Sequence, residues 1–165
     1  MKPHQDLQLK GFTLIELIVT VAIVAILASV AMPMLQMSVQ RNKEIELKTN
    51  LRQIREAIDA YKKAADEGRI KKSIEETGYP PNLEILVNGV LDEKDINKNK
   101  LKFLRKIPLD PMTTTDGKNT DDLPNNWGLR SYASEANEPE QGADVYDIYS
   151  LSQQVGINGI VYAKW

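Results

Sequence analysis

The sequence predicts an α+β protein: a long N-terminal helix, apolar in its first half and amphipathic in its second, packed on a small antiparallel β-sheet. Three observations predict it. No charged residue occurs from Leu17 to Gln40, a run made mostly of Leu, Ile, Val, Ala and Met. Beyond it, Leu47, Leu51, Ile54, Ile58, Tyr61 and Ala65 recur at spacings of four and three, the period of one helix face. The C-terminal third then turns to short runs of β-branched and aromatic residues separated by Gly, Pro and Asn, the pattern of strands.

The helix is expected from about Phe12 to Asp66, with Gly68 near its end as the residue that tolerates a left-handed stop. At 1.5 Å per residue it rises about 80 Å. Its first half, at roughly 20 apolar residues, is long enough to cross a bilayer. On its second half Lys48, Arg52, Arg55, Glu56, Asp59 and Lys62 fall largely outside the apolar face. Pro33 removes one helical hydrogen bond, so a kink or local melting is expected there. Residues 78–82 read as a turn, and Leu83, Leu86, Val87 and Val90 as a short second helix. A polar loop covers 92–100. The prolines at 108 and 111 make 103–113 an extended connection. Segments 127–132, 144–150 and 159–165 are expected to form one three-stranded sheet, with a face over the long helix.

Composition narrows the function. A chain of 165 residues holds one domain of about 100–150 residues plus a terminal segment. A net charge of −2 supplies no basic field for nucleic acid. There is no cysteine, and the single histidine, His4, lies in the polar N-terminal stretch. Disulfides, thiolate metal sites and histidine-based triads or metal centres are therefore absent from the globular part. No P-loop occurs. Asp95, Asn97 and Asn99 imitate the first ligands of an EF-hand, but Lys100 stands where the loop needs Gly and Lys106 where it needs Glu, so calcium is not expected there. Asp144 and Asp147 remain as a carboxylate pair for an enzymatic reading, against the plainer reading of a solvated strand end.

Glu16, at the start of the apolar run, is the residue that composition leaves unexplained. A carboxylate deep in a membrane costs about 2–3 kcal/mol unless paired. A signal peptide cleaved after Ala31, or a plain uncleaved anchor, leaves it without a role. In either case Lys2 and Lys10 hold the N-terminus on the cytoplasmic side and the body across the membrane.

A third reading gives the carboxylate work. The stretch Lys10-Gly11-Phe12-Thr13-Leu14-Ile15-Glu16-Leu17 resembles the processing site of type IV pilins and type II secretion pseudopilins. The resemblance implies cleavage after Gly11 by a membrane prepilin peptidase, N-methylation of Phe12, and an assembly role for Glu16 and for the proline of the apolar segment, Pro33. Cleavage would leave an amine on Phe12 with a pKa near 8, largely cationic at neutral pH. Four residues are a rise of about 6 Å, so Glu16 reaches its own terminus or that of a neighbour displaced along the assembly axis.

Further motifs, Tyr79-Pro-Pro-Asn-Leu, Ile107-Pro-Leu-Asp-Pro-Met-Thr, Trp127-Gly-Leu-Arg-Ser and Tyr146-Asp-Ile-Tyr-Ser, resemble the globular half of the major, G-type pseudopilins. What the resemblance implies is a division into a leader (1–11), a transmembrane or filament-core helix (12–35), its amphipathic continuation (36–68) and a periplasmic globular domain (69–165). It implies a non-enzymatic subunit of a helical homo-oligomer, anchored once in the bacterial inner membrane, with minor pseudopilins, the peptidase and an inner-membrane platform as partners. A type IV pilus subunit is the alternative, and a secreted or anchored enzyme a weaker one. Those pseudopilins commonly bind calcium in the C-terminal loop. The matching segment here, 150–162, has no Asp or Glu, and Ser152 and Asn158 are weak neutral candidates, so no cofactor is expected. Finally, six cations between Lys94 and Lys106 face a lone Asp95, while 135–147 carries five anions and no cation. Such segments suit a head-to-tail contact between copies.

Overall fold

A computed structural model describes residues 11–113 and 126–165 of the chain. The first ten residues, with His4 and nearly all of the expected leader, lie outside the described residues, as do the side chains of Val30 and Pro33. The chain forms two compact units, 1–40 and 41–165. One helix, α1 (Leu14–Asp66), contributes to both.

Within the first unit α1 is helical at every position from Leu14 on, including residue 33. The local melting expected at Pro33 is therefore corrected, since the backbone stays helical through it. Neighbouring turns hold their bonds where a single donor is missing. The hydroxyls of Thr20 and Ser29 donate to Leu17 O at 2.8 Å and Ile26 O at 2.7 Å, which leaves them satisfied without water.

The second unit is built on the remainder of α1. Leu47, Leu51, Ile54, Ile58, Tyr61 and Ala65 are all buried, as the spacing predicts. They pack with Leu83 and Leu86, Leu104, Met112, Trp127, Val145, Ile148 and Tyr162 into one core. The helix ends in a Schellman arrangement. Gly68 takes a φ of 70°, its N–H reaches Ala65 O at 3.0 Å, and the Arg69 N–H reaches Ala64 O at 2.9 Å.

Helix α2 (Glu84–Asn88) is followed by β1 (Val90–Leu91), which pairs antiparallel with β2 (Lys100–Leu101). The expected helix thus stops short of Val90, and the polar loop proves to be the connection of a small hairpin. Gly89 explains the change. Its φ is 75°, and a Cβ there would sit 2.6 Å from Leu101 O, so only glycine lets the two backbones meet. Inside the loop the Asp95 carboxylate accepts from the N–H groups of Asn97 and Asn99 and from the Asn99 amide, a turn stabilised by its own side chains.

Asp92 is buried and accepts from Arg69 Nε at 3.0 Å and Nη2 at 2.6 Å. The Arg69 hydrogen bonds, aided by the Lys94 N–H, hold its carboxyl below the usual value of 3.8, against the opposing effect of desolvation. A depressed folded-state pKa gives stability that is present above the unfolded pKa and lost as pH falls through the folded one. Asp92→Asn should therefore destabilise at neutral pH, and the difference from wild type should shrink as the medium is acidified below the unfolded value. Urea unfolding at neutral pH and in strong acid would show it. A difference that does not change with pH would contradict the linkage.

The C-terminal third departs most from expectation. β3 (Trp127–Arg130) and β4 (Asp147–Ser150) pair antiparallel, Trp127 opposite Ser150 and Arg130 opposite Asp147. The expected third strand, 159–165, is absent. Residues 154–162 form an irregular hairpin with a single bridge, Val155 to Val161, and the chain ends in a 3-10 turn, Tyr162–Lys164. The reason lies in Arg55, whose Nη2 donates to Ile148 O and to Trp165 O, each at 3.1 Å. The guanidinium occupies a β4 carbonyl that a third strand would use and ties the chain end to the helix instead.

Candidate functional site

The N-terminal end of α1 begins at Thr13, whose hydroxyl accepts from the Glu16 N–H at 3.3 Å while its carbonyl takes the Leu17 N–H at 3.2 Å. Thr13 is thus the N-cap. Glu16 lies in the first turn, where the exposed N–H groups of the helix favour an anion. Sequence reasoning missed Thr13, although Thr followed three residues later by Glu before an apolar run is the signature of a cap. Phe12 is 83% exposed.

Gly11 shows what the fold does not need. A Cβ there would meet nothing within 4 Å, and its φ is not in the left-handed range. Among the described residues nothing in the chain demands glycine at this position.

Leu14, Ile15, Leu17, Ile18 and, among the described side chains, the large apolar residues that follow as far as Val39 are largely exposed. A helix apolar on all sides needs an apolar surrounding, and this one is long and apolar enough to cross a membrane by length and composition.

The C-terminal loop carries a second polar arrangement. Ser152 Oγ accepts from Gln154 N at 3.4 Å, and Asn158 Oδ1 from Ile160 N at 3.0 Å, so both neutral candidates serve local turns. The loop draws its carboxylates from elsewhere. Glu44, buried on α1, accepts from the Ile157 N–H and the Tyr162 hydroxyl, both at 2.8 Å. Asp110 is buried too. Its carboxylate accepts from Ser150 Oγ at 2.5 Å, Thr113 Oγ1 at 3.0 Å and Met112 N at 2.8 Å. Neither residue was singled out from sequence. Position 44 continues the stripe of Leu47 and Leu51 one turn back, and a carboxylate on a core stripe is the signal that was available. Among the described residues no group of three or more His, Asp or Glu side chains comes together as a metal cluster.

Asp144 and Asp147 are not solvated strand ends, which corrects the plainer reading of that pair. Asp144 is buried and accepts from the Thr77 hydroxyl and from Tyr132 N. Asp147 accepts from Arg55 Nε at 2.7 Å and Ile148 N at 2.8 Å. Both are committed to holding the fold together. The acidic segment 135–147 therefore presents Glu135, Glu138 and Glu140 outward, opposite in sign to the exposed cations Lys94, Lys98, Lys100, Lys102, Arg105 and Lys106.

Residues 9–32 match the family described as the prokaryotic N-terminal methylation motif. Over 111 residues the chain is 32% identical to the type II secretion system core protein G of Pseudomonas aeruginosa, a match covering 65% of this chain and 70% of that relative. Over 72 residues it is 39% identical to the type IV major pilin protein PilA of Myxococcus xanthus, covering 44% of this chain and 32% of that pilin. No solved structure gives a significant match.

Proposed function

The chain belongs to the family of type IV pilins and type II secretion pseudopilins, and from that premise we propose that it is the major, G-type subunit of a type II secretion pseudopilus. The supporting observation is the length of the match to core protein G. At 111 residues it exceeds everything up to the end of α1 at Asp66, so it includes globular sequence wherever it falls.

On this reading the chain enters the bacterial inner membrane with its leader cytoplasmic and residues 41–165 in the periplasm. A prepilin peptidase cuts after Gly11 and Phe12 is methylated. Helix α1 then exchanges lipid for the core of a helical homo-oligomer. Both surroundings are apolar, so transfer between them avoids exposing the helix to water. Minor pseudopilins and an inner-membrane platform would be the partners, and an external motor the source of work. The role on this reading is structural rather than enzymatic, which the likeness to a secretion-system core protein and to a major pilin supports.

The intact mass of protein extracted from membranes tests the reading. It should correspond to residues 12–165 plus one methyl group, with loss of Lys2, Asp6 and Lys10 taking the net side-chain charge from −2 to one unit more negative. Loss of residues 1–31 instead would sink it. The match to PilA favours a second reading, a type IV pilus subunit. Native filaments longer than the periplasm is wide would decide for that alternative.

A further inference from the structure

The β1–β2 hairpin ends in a loop that turns its acids inward and its cations outward. Asp92 is buried against Arg69, and the Asp95 carboxylate is taken up by Asn97 and Asn99. Glu93 meets Lys98 at 3.6 Å. Lys94, Lys100, Lys102, Arg105 and Lys106 are exposed and form no ion pair among the described residues. Ile96 stands between them, 98% exposed and outside the core. Its turn is fixed by the Asp92 N–H on Asn99 O at 3.0 Å and the Lys98 N–H on Asp95 O at 2.9 Å. Lys98 keeps a φ of 49°, in the left-handed region where a lysine is uncommon. The loop is thus a fixed apolar knob among cations.

The connection between β3 and β4 offers the complement. Glu135, Glu138 and Glu140 are exposed and enter no ion pair among the described residues. The Ser131 N–H on Glu140 O and the Tyr132 N–H on Asp144 Oδ1, each at 2.9 Å, hold the connection to the fold. Beside the acids Tyr132 stacks on Tyr79 and meets Tyr146 edge-on. Lys62 and Arg130 lie over the Tyr79 and Tyr146 rings. Tyr132 is 60% exposed and has no cation over it among the described residues. We propose that the hairpin tip of one copy docks on this surface of a second copy, Ile96 against Tyr132, with Lys94, Lys98 and Lys100 facing Glu135, Glu138 and Glu140. Charge complementarity argues for that occupant. Residues 94–106 hold six cations and one anion, and 135–147 hold five anions and no cation, in a chain whose net charge is only −2. Matched patches of opposite sign steer encounter and fix register, and an aromatic anchor inside a charged rim is the usual anatomy of a specific contact. Two different surfaces make a heterologous contact, which propagates into a helical array when its rotation does not close. The inference deepens the filament reading proposed above and rests on it.

The absence of cysteine gives a direct test in the full chain. Two differently tagged forms, Asn97→Cys and Ala133→Cys, are produced together in one bacterial cell, and a short bismaleimide is added to the membranes. Both positions are exposed, and the pair leaves Ile96, Tyr132 and every charge in place. Dimers joining the two tags should form severalfold more than when Gln153→Cys replaces Ala133→Cys, since 153 follows β4 and 133 lies at the other end of the β3–β4 pair. Adding Lys94→Glu, Lys98→Glu and Lys100→Glu to the first form should lower the yield severalfold. Adding Glu135→Lys, Glu138→Lys and Glu140→Lys to the second should then restore part of it, which a misfolded variant would not show. Salt should weaken the parent pair as screening shortens to about 3 Å at 1 M. A yield at 133 no greater than at 153 overturns the inference, as does a charge-reversed form that cross-links like its parent. Dimers formed between two Asn97→Cys chains overturn it in favour of an isologous pairing. Electron microscopy of the wild type separates the two readings. Filaments without the 97–133 cross-link leave the proposed function standing, whereas absence of filaments counts against that function whichever way the cross-link falls.

Discussion

Glu16→Ala is expected to leave processing and the fold of 41–165 nearly unchanged and to remove most filament assembly. The helix start survives the substitution, because Thr13 accepts from the backbone N–H of residue 16 and alanine keeps that donor. The buried core of 41–165 begins at Leu47. What is lost is the anion four residues from the Phe12 nitrogen. After cleavage that nitrogen carries a proton at neutral pH, its reference pKa being about 8. In an assembled apolar core the ammonium would then be buried with no partner, a penalty of about 3–5 kcal/mol for a broken buried pair. That corresponds to more than two orders of magnitude in an association constant, repeated at each subunit. Monomer in lipid avoids the penalty, since the terminus there sits among headgroups and water. Electron microscopy of sheared filaments, alongside the mass of the membrane-retained subunit, would measure both halves. Wild-type amounts of filament at native expression would show that Glu16 does not register neighbours.

Local periodicity made the helical half of this protein legible. The stripe from Leu47 to Ala65 is buried as its spacing predicts, because a 3.6-residue period survives whatever packs against it. Gly68 was equally legible, since the helix stop is a local backbone event. The sheet was less so. Gly159 to Trp165 has the composition of a strand, yet a strand also needs a free edge, and Arg55, 93 positions away from Ile148, occupies it. No window of neighbouring residues contains that fact. The carboxylates failed for the same reason. Asp144 and Asp147 looked like surface charges because their partners, Thr77 and Arg55, come from distant segments. Glu44 meets Ile157 and Tyr162 across more than a hundred residues. At the N-terminal end the reverse holds: a methylation motif is a short linear stretch, residues 9–32 here, so sequence alone displays Gly11, Phe12 and Glu16.

Asp110→Ala should be among the most destabilising single changes in the second unit. The side chain lies in the proline-punctuated connection, which has no ladder of backbone hydrogen bonds to fix it. Instead the Asp110 N–H donates to Asn126 Oδ1 and its carbonyl accepts from Asn126 Nδ2, while the carboxylate gathers Met112, Thr113 and Ser150. Ser150 is fully buried at the end of β4, and its hydroxyl in turn accepts from Ser152 N at 3.1 Å. Asp110 thus joins the connection to the sheet and to the root of the C-terminal loop. Alanine leaves two hydroxyls and one N–H without their acceptor. Each buried unsatisfied donor costs about 1–3 kcal/mol, less where a hydroxyl can rotate to another acceptor. A loss of about 3–5 kcal/mol follows, a large share of the 5–15 kcal/mol that stabilises a typical domain. Asp110→Asn, which keeps one acceptor oxygen, should lose less. Urea unfolding of the detergent-solubilised chain, followed by the fluorescence of Trp127 and Trp165, would give the ranking. Wild-type stability in Asp110→Ala would mean that the connection is held by its apolar neighbours, Leu104 and Met112, and that the carboxylate is dispensable.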